Sequence, residues 1–187
     1  VLDGVATIAH KAFQKAGITS VTLPDSLREI KDEAFRLSAL TAVTLPEKFE
    51  TVGTCAFCSA DKLERIDLGG TISLGGSAFE STSAKEGVNF RPELGRLTTI
   101  GDFAFSRTAQ SSVSLPDSVT MVGEQAFSES PALTSFHIGA GVTSFAETAL
   151  YNDRKIATLT VSADNPVYSA EHKALYRQAA DGLPLML

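Results

Sequence analysis

Two cysteines, three histidines and a few paired glycines are the residues whose types could do chemistry. Cys55-Ala56-Phe57-Cys58 has the C-x-x-C spacing of redox and metal-binding motifs. A redox pair needs a thioredoxin-like βαβ setting, and a zinc site needs about four ligands, with no second Cys/His pair to supply them. A local disulfide is the remaining role if the protein is exported to an oxidising compartment. His10, His137 and His172 stand far apart along the chain, so neither a catalytic triad nor a facial metal site is expected. The sequence holds no G-x-S-x-G, no P-loop and no G-x-G-x-x-G. Gly69-Gly70 and Gly75-Gly76 read as turn glycines rather than a phosphate cradle. The expectation is a protein that is not an enzyme, with no catalytic residue, no metal and no cofactor.

The elements that would carry these residues are set by a repeat. Ala-Phe recurs at Phe13, Phe35, Phe57, Phe79, Phe105 and Phe127, and Ala149-Leu150 continues the series. The spacing is 22 residues, except for 26 between Phe79 and Phe105 and 23 at the last step. An apolar residue stands five positions before each aromatic, as in Ile8, Ile30, Val52 and Ile100, often followed by Gly. After it comes a spaced triplet such as Leu40-x-x-Val43-x-Leu45 or Leu133-x-x-Phe136-x-Ile138. The Val-x-Leu part alternates as a strand with one face buried. Pro24, Pro46 and Pro116 end three of these strands, because proline has no N–H for a ladder. Residues 5–13 and their equivalents are too short for an independent helix, so a short extended piece and one tight helical turn are expected there. A unit of this size cannot bury its apolar face alone and must stack on neighbours. Phe is expected to fill the space between stacked coils.

This pattern is similar to the leucine-rich repeat, L-x-x-L-x-L-x-x-N/C-x-L, at the short end of its range. The Asn/Cys position holds Ser26, Lys48, Ser118 and Gly141 instead. The form L-x-x-V-T-L-P-x-S-V-x-x-I-G-x-x-A-F resembles the BspA-type leucine-rich repeat, best in residues 40–57 and 113–127. The resemblance implies an α/β, β-rich solenoid, with short parallel strands on one face and extended pieces and tight turns on the other. It also implies an extracellular or cell-surface protein of a host-associated bacterium or protist. The partner it implies is a protein, host matrix and plasma proteins among the candidates.

Residues 1–161 read as an array of about seven coils, irregular over 79–105, and residues 162–187 as a terminal module. In the irregular coil a strand is expected at residues 88–90, followed by a loop over residues 91–96. Residues 1–5 align with residues 23–27, which starts the chain inside a strand, so a fragment of a longer polypeptide is expected. Asn165-Pro166-Val167-Tyr168-Ser169 with Ala174-Leu175-Tyr176 resembles the N-P-x-Y-S…L-Y module of the same family. Its two tyrosines are expected to cover the last coil, because an open solenoid end exposes core. The apolar residues 183–187 suggest that more chain or a partner follows.

The net charge is −6, from 16 Lys and Arg against 22 Asp and Glu. That balance argues against nucleic acid and against an anionic membrane surface. No apolar run is long enough to cross a membrane. What remains is surface. One outward column on the strand face runs Thr22, Thr44, Asp67, Asn89, Ser114, His137, Thr160, beside a second of Ser20, Ala42, Arg65, Gly87, Ser112, Ser135, Thr158. Most are small and neutral. Charge and bulk gather at Arg65, Asp67, Asn89 and Arg91, with His137 further along, and these five are the candidate partner-binding residues. Both arginines are expected to be surface side chains whose loss leaves stability alone. The function expected is non-catalytic, adhesion-type protein binding. The alternative is a structural spacer, or an accessory array attached to another domain.

Overall fold

The structure is a computed structural model that describes residues 2–172, 174–178 and 184–186. Its strands, in chain order, are β1 (Thr7–Ile8), β2 (Glu29–Ile30), β3 (Ala42–Thr44), β4 (Thr51–Val52), β5 (Arg65–Asp67), β6 (Ser73–Leu74), β7 (Val88–Asn89) and β8 (Thr99–Ile100). They continue as β9 (Ser112–Ser114), β10 (Met121–Val122), β11 (Ser135–Ile138), β12 (Ser144–Phe145), β13 (Thr158–Val161), β14 (Tyr168–Glu171), β15 (Ala174–Gln178) and β16 (Pro184–Met186). The chain winds as a parallel β-solenoid of about seven turns.

One side of the solenoid is a seven-stranded parallel sheet in the order β1-β2-β4-β6-β8-β10-β12. It is built from the short extended piece before each Ala-Phe, with Ile8, Ile30, Val52, Leu74, Ile100, Val122 and Phe145 in register and buried. The other side is built from the Val-x-Leu strands and is split in two. One parallel sheet runs β3-β5-β7 and another β9-β11-β13. No strand is formed over residues 20–22 in the first coil, where one was expected. That segment meets the next coil through Thr41 N–H to Thr19 C=O, and Val21 and Leu23 are only partly buried, with no other coil among the described residues on its outer side.

The core is continuous along the axis. Phe13, Phe35, Phe57, Phe79, Phe105 and Phe127 stack with centroids 5.0–5.4 Å apart and near-parallel planes. That spacing is slightly wider than the ~4.7–4.9 Å between neighbouring strands, so the ring column follows the sheets coil by coil. The five rings from Phe35 to Phe127 are fully buried.

The Ala-Phe segment is a turn rather than a helical piece, and the only helix among the described residues is a 3-10 turn at Pro92–Leu94. The reason lies in the backbone. The residues two before and two after each Phe are left-handed, as at Lys11 and Lys15, Glu33 and Leu37, or Gln125 and Glu129. Two left-handed residues per coil interrupt the right-handed run that a helix needs. They turn amides along the solenoid axis instead: Lys11, Phe13 and Lys15 N–H donate to Asp32, Ala34 and Arg36 C=O at 3.2, 2.7 and 2.8 Å. The strain of each left-handed residue is offset by a bond to the next coil.

After β13 the winding changes to an antiparallel sheet, β14-β15-β16. Asn165 joins it to the last coils. Its side chain donates to Gly139 C=O (2.8 Å) and Val142 C=O (3.0 Å) and accepts from the amides of Val167 and Tyr168. Tyr168 is buried, and its hydroxyl accepts from Phe145 N–H at 2.9 Å. The apolar tail at residues 183–187 lies partly outside the described residues.

Candidate functional site at the interrupted strand face

The irregular coil is where the strand face breaks. Four extra residues between Phe79 and Phe105, relative to the usual spacing, have to leave the winding. They do so after β7: Arg91 turns left-handed at φ 50°, Pro92–Leu94 makes its 3-10 turn, and Gly95 is left-handed at φ 57°. On the opposite side β6 still pairs with β8, Leu74 against Ile100. Coils four and five are therefore joined along one sheet and separate along the other. Between β7 and β9 lies a groove of about 490 Å³.

Side chains beside the groove form a charged network. The Asn89 side-chain amide donates to Asp67 Oδ2 at 3.1 Å, and Arg91 Nη1 meets the same oxygen at 3.3 Å. Asn89 Oδ1 accepts from Arg91 N–H at 3.1 Å. Arg91 is further paired with Glu93 (2.7 Å) and Glu47 (3.7 Å), and Arg96 donates to Glu47 C=O at 2.9 Å. The Asp67 and Glu47 carboxylates hold the extra loop against the third coil through the Arg91 guanidinium, and Glu93 pairs with it from within the loop. Asp67 Oδ1 meanwhile accepts from Gly69 N–H in the turn after β5.

The structure brings together Asp67, Asn89 and Arg91. Arg65 shares their strand face but turns to Glu86 at 3.5 Å, with its side chain 66% exposed. His137 stands on β11, across the groove, with Nδ1 2.9 Å from Thr160 Oγ1. The expectation that both arginines are simple surface residues is corrected here: Arg91 is only 25% exposed and anchors the loop, so its loss removes a local tether. Glu47, Glu93 and Asp117 border the same region and were not singled out from the sequence. Glu47 could not have been, because its distance from Arg91 depends on the path of the extra loop. The cysteines lie elsewhere, in the turn around Phe57, with their sulfurs bonded to each other.

The winding, the short parallel strands and the stacked phenylalanines define a leucine-rich-repeat solenoid. The chain belongs to the BspA-type leucine-rich repeat family: the model described as "BspA type Leucine rich repeat region (6 copies)" matches residues 2–97 and again 98–178. Among solved structures the chain is similar to a leucine-rich repeat protein from Eubacterium ventriosum, with a TM-score of 0.65 and 21% identity over 82% of this chain and 37% of that one. It is similar also to a leucine-rich repeat protein from Bacteroides ovatus, with a TM-score of 0.58 and 22% identity over 86% of this chain and 48% of that one. A leucine-rich cell surface protein from Faecalibacterium prausnitzii gives a TM-score of 0.56 and 22% identity over 86% of this chain and 49% of that one. The chain thus spans between about a third and a half of these proteins' lengths. No match is found among curated protein sequences. Leucine-rich repeats typically mediate protein binding, and the fold is generally non-catalytic. Among the described residues no helix is long and apolar enough to cross a membrane.

Proposed function

We propose that this chain is an adhesion-type protein-binding module of a cell-surface or secreted protein, and that it binds through the strand face around the irregular coil. The observation that carries the reading is the break in that face. Elsewhere the outward strand positions are mostly small Ser, Thr and Ala, a surface with little to recognise. At the break they give way to a groove flanked by a fixed Asp67–Asn89–Arg91 network and an exposed Arg65. Interface hot spots favour Arg in such settings. The bonded Cys55–Cys58 pair suits an oxidising compartment, and the Faecalibacterium relative carries a cell-surface name.

The test is to immobilise the full chain and measure binding of purified extracellular-matrix and plasma proteins. A partner should bind, and Arg65→Ala should weaken it by about fivefold or more, roughly 1 kcal/mol. The melting curve should stay within about 0.5 kcal/mol of the parent, because the exposed Arg65–Glu86 pair contributes little. Binding that ignores Arg65→Ala would move the site elsewhere. No binding at all would favour the spacer.

A further inference from the structure

We propose that the groove between β7 and β9 receives one extended segment of the partner, which completes the interrupted parallel sheet as an inserted strand. The inference rests on the reading of this face as a protein-binding surface and specifies what is bound.

Backbone parity decides which peptide groups face the groove. Gly87 and Asn89 carbonyls accept from Ile66 on β5 and from Leu68 directly after it, so these groups face β5. Alternation along a strand then turns the Val88 amide and carbonyl, and the Phe90 amide, toward β9. On the far rim, Leu115 N–H donates to His137 C=O on β11, so the peptide groups of Ser114 and the Ser112 carbonyl face back toward β7. Among the described residues no backbone hydrogen bond links residues 88–90 with 112–115. Two strand edges thus face each other across a gap, each with unpaired donors and acceptors. Unpaired edges are templates for strand addition, and main-chain groups supply the affinity when a peptide adds. Here a single strand would be held on both sides. The groove volume falls within the ~300–1,000 Å³ of ligand pockets.

The lining also indicates the side chains of the segment. Val88, Phe90 and Leu115 give the groove an apolar floor, so the inward-facing residue should be apolar. The formally charged lining residue is Asp117, just beyond the C-terminal end of β9. A strand parallel to its neighbours would bring its C-terminal side to that carboxylate, so a Lys or Arg should follow the apolar residue.

The experiment pans a displayed library of random seven-residue peptides on the full chain. Counter-selection uses Ser114→Pro, which deletes a groove-facing N–H and no bond to β11. Selected peptides should carry an apolar residue followed by Lys or Arg. Their affinity should fall about tenfold with Ser114→Pro and with N-methylation at successive positions of the inserted stretch, whose N–H groups alternate between the two rims, and remain with Ser114→Ala. Asp117→Asn, which keeps the acceptor for Ala140 N–H, should remove the preference for the basic residue. Amide exchange at Val88, Phe90 and Ser114 in the parent should slow about tenfold with bound peptide. An N-methyl scan that causes no loss of affinity, or unchanged exchange, would overturn strand insertion whether or not Ser114→Pro folds. A matrix or plasma protein whose binding needs Arg65 but ignores Ser114→Pro would also overturn it while leaving the binding surface intact. Self-association abolished by Ser114→Pro would replace the partner segment with a second copy of the chain.

Discussion

Phe35 lies flat between Phe13 and Phe57, fully buried, and its ring is part of the pitch of the solenoid. Phe35→Ala should lower unfolding free energy by about 3–5 kcal/mol in urea denaturation, the usual range for deleting a core aromatic; a loss below about 1 kcal/mol would show that the column is incidental. Asp153 is a second residue with a measurable consequence. It occupies the slot held by Ser38, Thr82, Thr108 and Ser130 in earlier coils, three residues after the repeat's aromatic position. Burial pushes its carboxyl up to about 7, opposed by the hydrogen bond from Ser130 N–H and assisted by the nearby Glu129 charge. The ordinary value is 3.8, so the folded state holds a proton that the unfolded chain releases. Its contribution is full below about pH 4 and is lost as pH rises to about 7. The melting temperature of the parent should fall over that window, and Asp153→Asn should flatten the dependence; an unchanged slope would contradict the assignment.

At the scale of elements, close approach between coils decides which substitutions the sheets tolerate. A Cβ on Gly101 would lie 2.8 Å from the Leu74 carbonyl oxygen and 2.8 Å from the Gly75 carbonyl carbon, both backbone atoms, whereas one on Gly17 meets nothing within 4 Å. Gly101→Ala should therefore cost about 1–3 kcal/mol, and Gly17→Ala less than about 0.5 kcal/mol, by chemical denaturation. Equal effects would mean that the glycines after the short strands are not there for contact. The repeat made most of these elements legible before the structure. Alternation separated inward Ile66, Phe90 and Phe136 from outward Arg65, Asp67 and Asn89, because a period of two is fixed by the strand itself. The split of the strand face was not legible. The sequence shows that four residues are extra, but whether they bulge harmlessly or hold β7 and β9 apart depends on the Arg91 and Gly95 backbone and on distant Glu47. The tight turns were expected as helical pieces, since left-handed residues such as Leu37 and Glu129 carry no signature in residue type.

For the whole molecule, the two ends differ. The first coil leaves Val5, Phe13, Val21 and Leu23 only partly buried, whereas the last is followed by the β14-β15-β16 sheet, which we propose closes the array. Asn165 is its main polar tie, with four hydrogen bonds. Asn165→Ala should cost about 1–3 kcal/mol, since it strands buried carbonyls of the coils before it. Removing residues 162–187 should cause aggregation or loss of cooperative melting. A shortened chain that stays monomeric with an unchanged melt would show that the module covers nothing essential.

We propose that the irregular coil makes the binding site by holding the strand face open. Deleting residues 92–95 restores the spacing between Phe79 and Phe105 from 26 to 22 residues. This lets β7 pair with β9 as the other coils pair. Affinity for the partner captured by the parent chain should then fall by about tenfold or more, with a melting temperature at or above the parent's. A deletion variant that melts cooperatively and binds that partner as tightly as the parent would contradict the account.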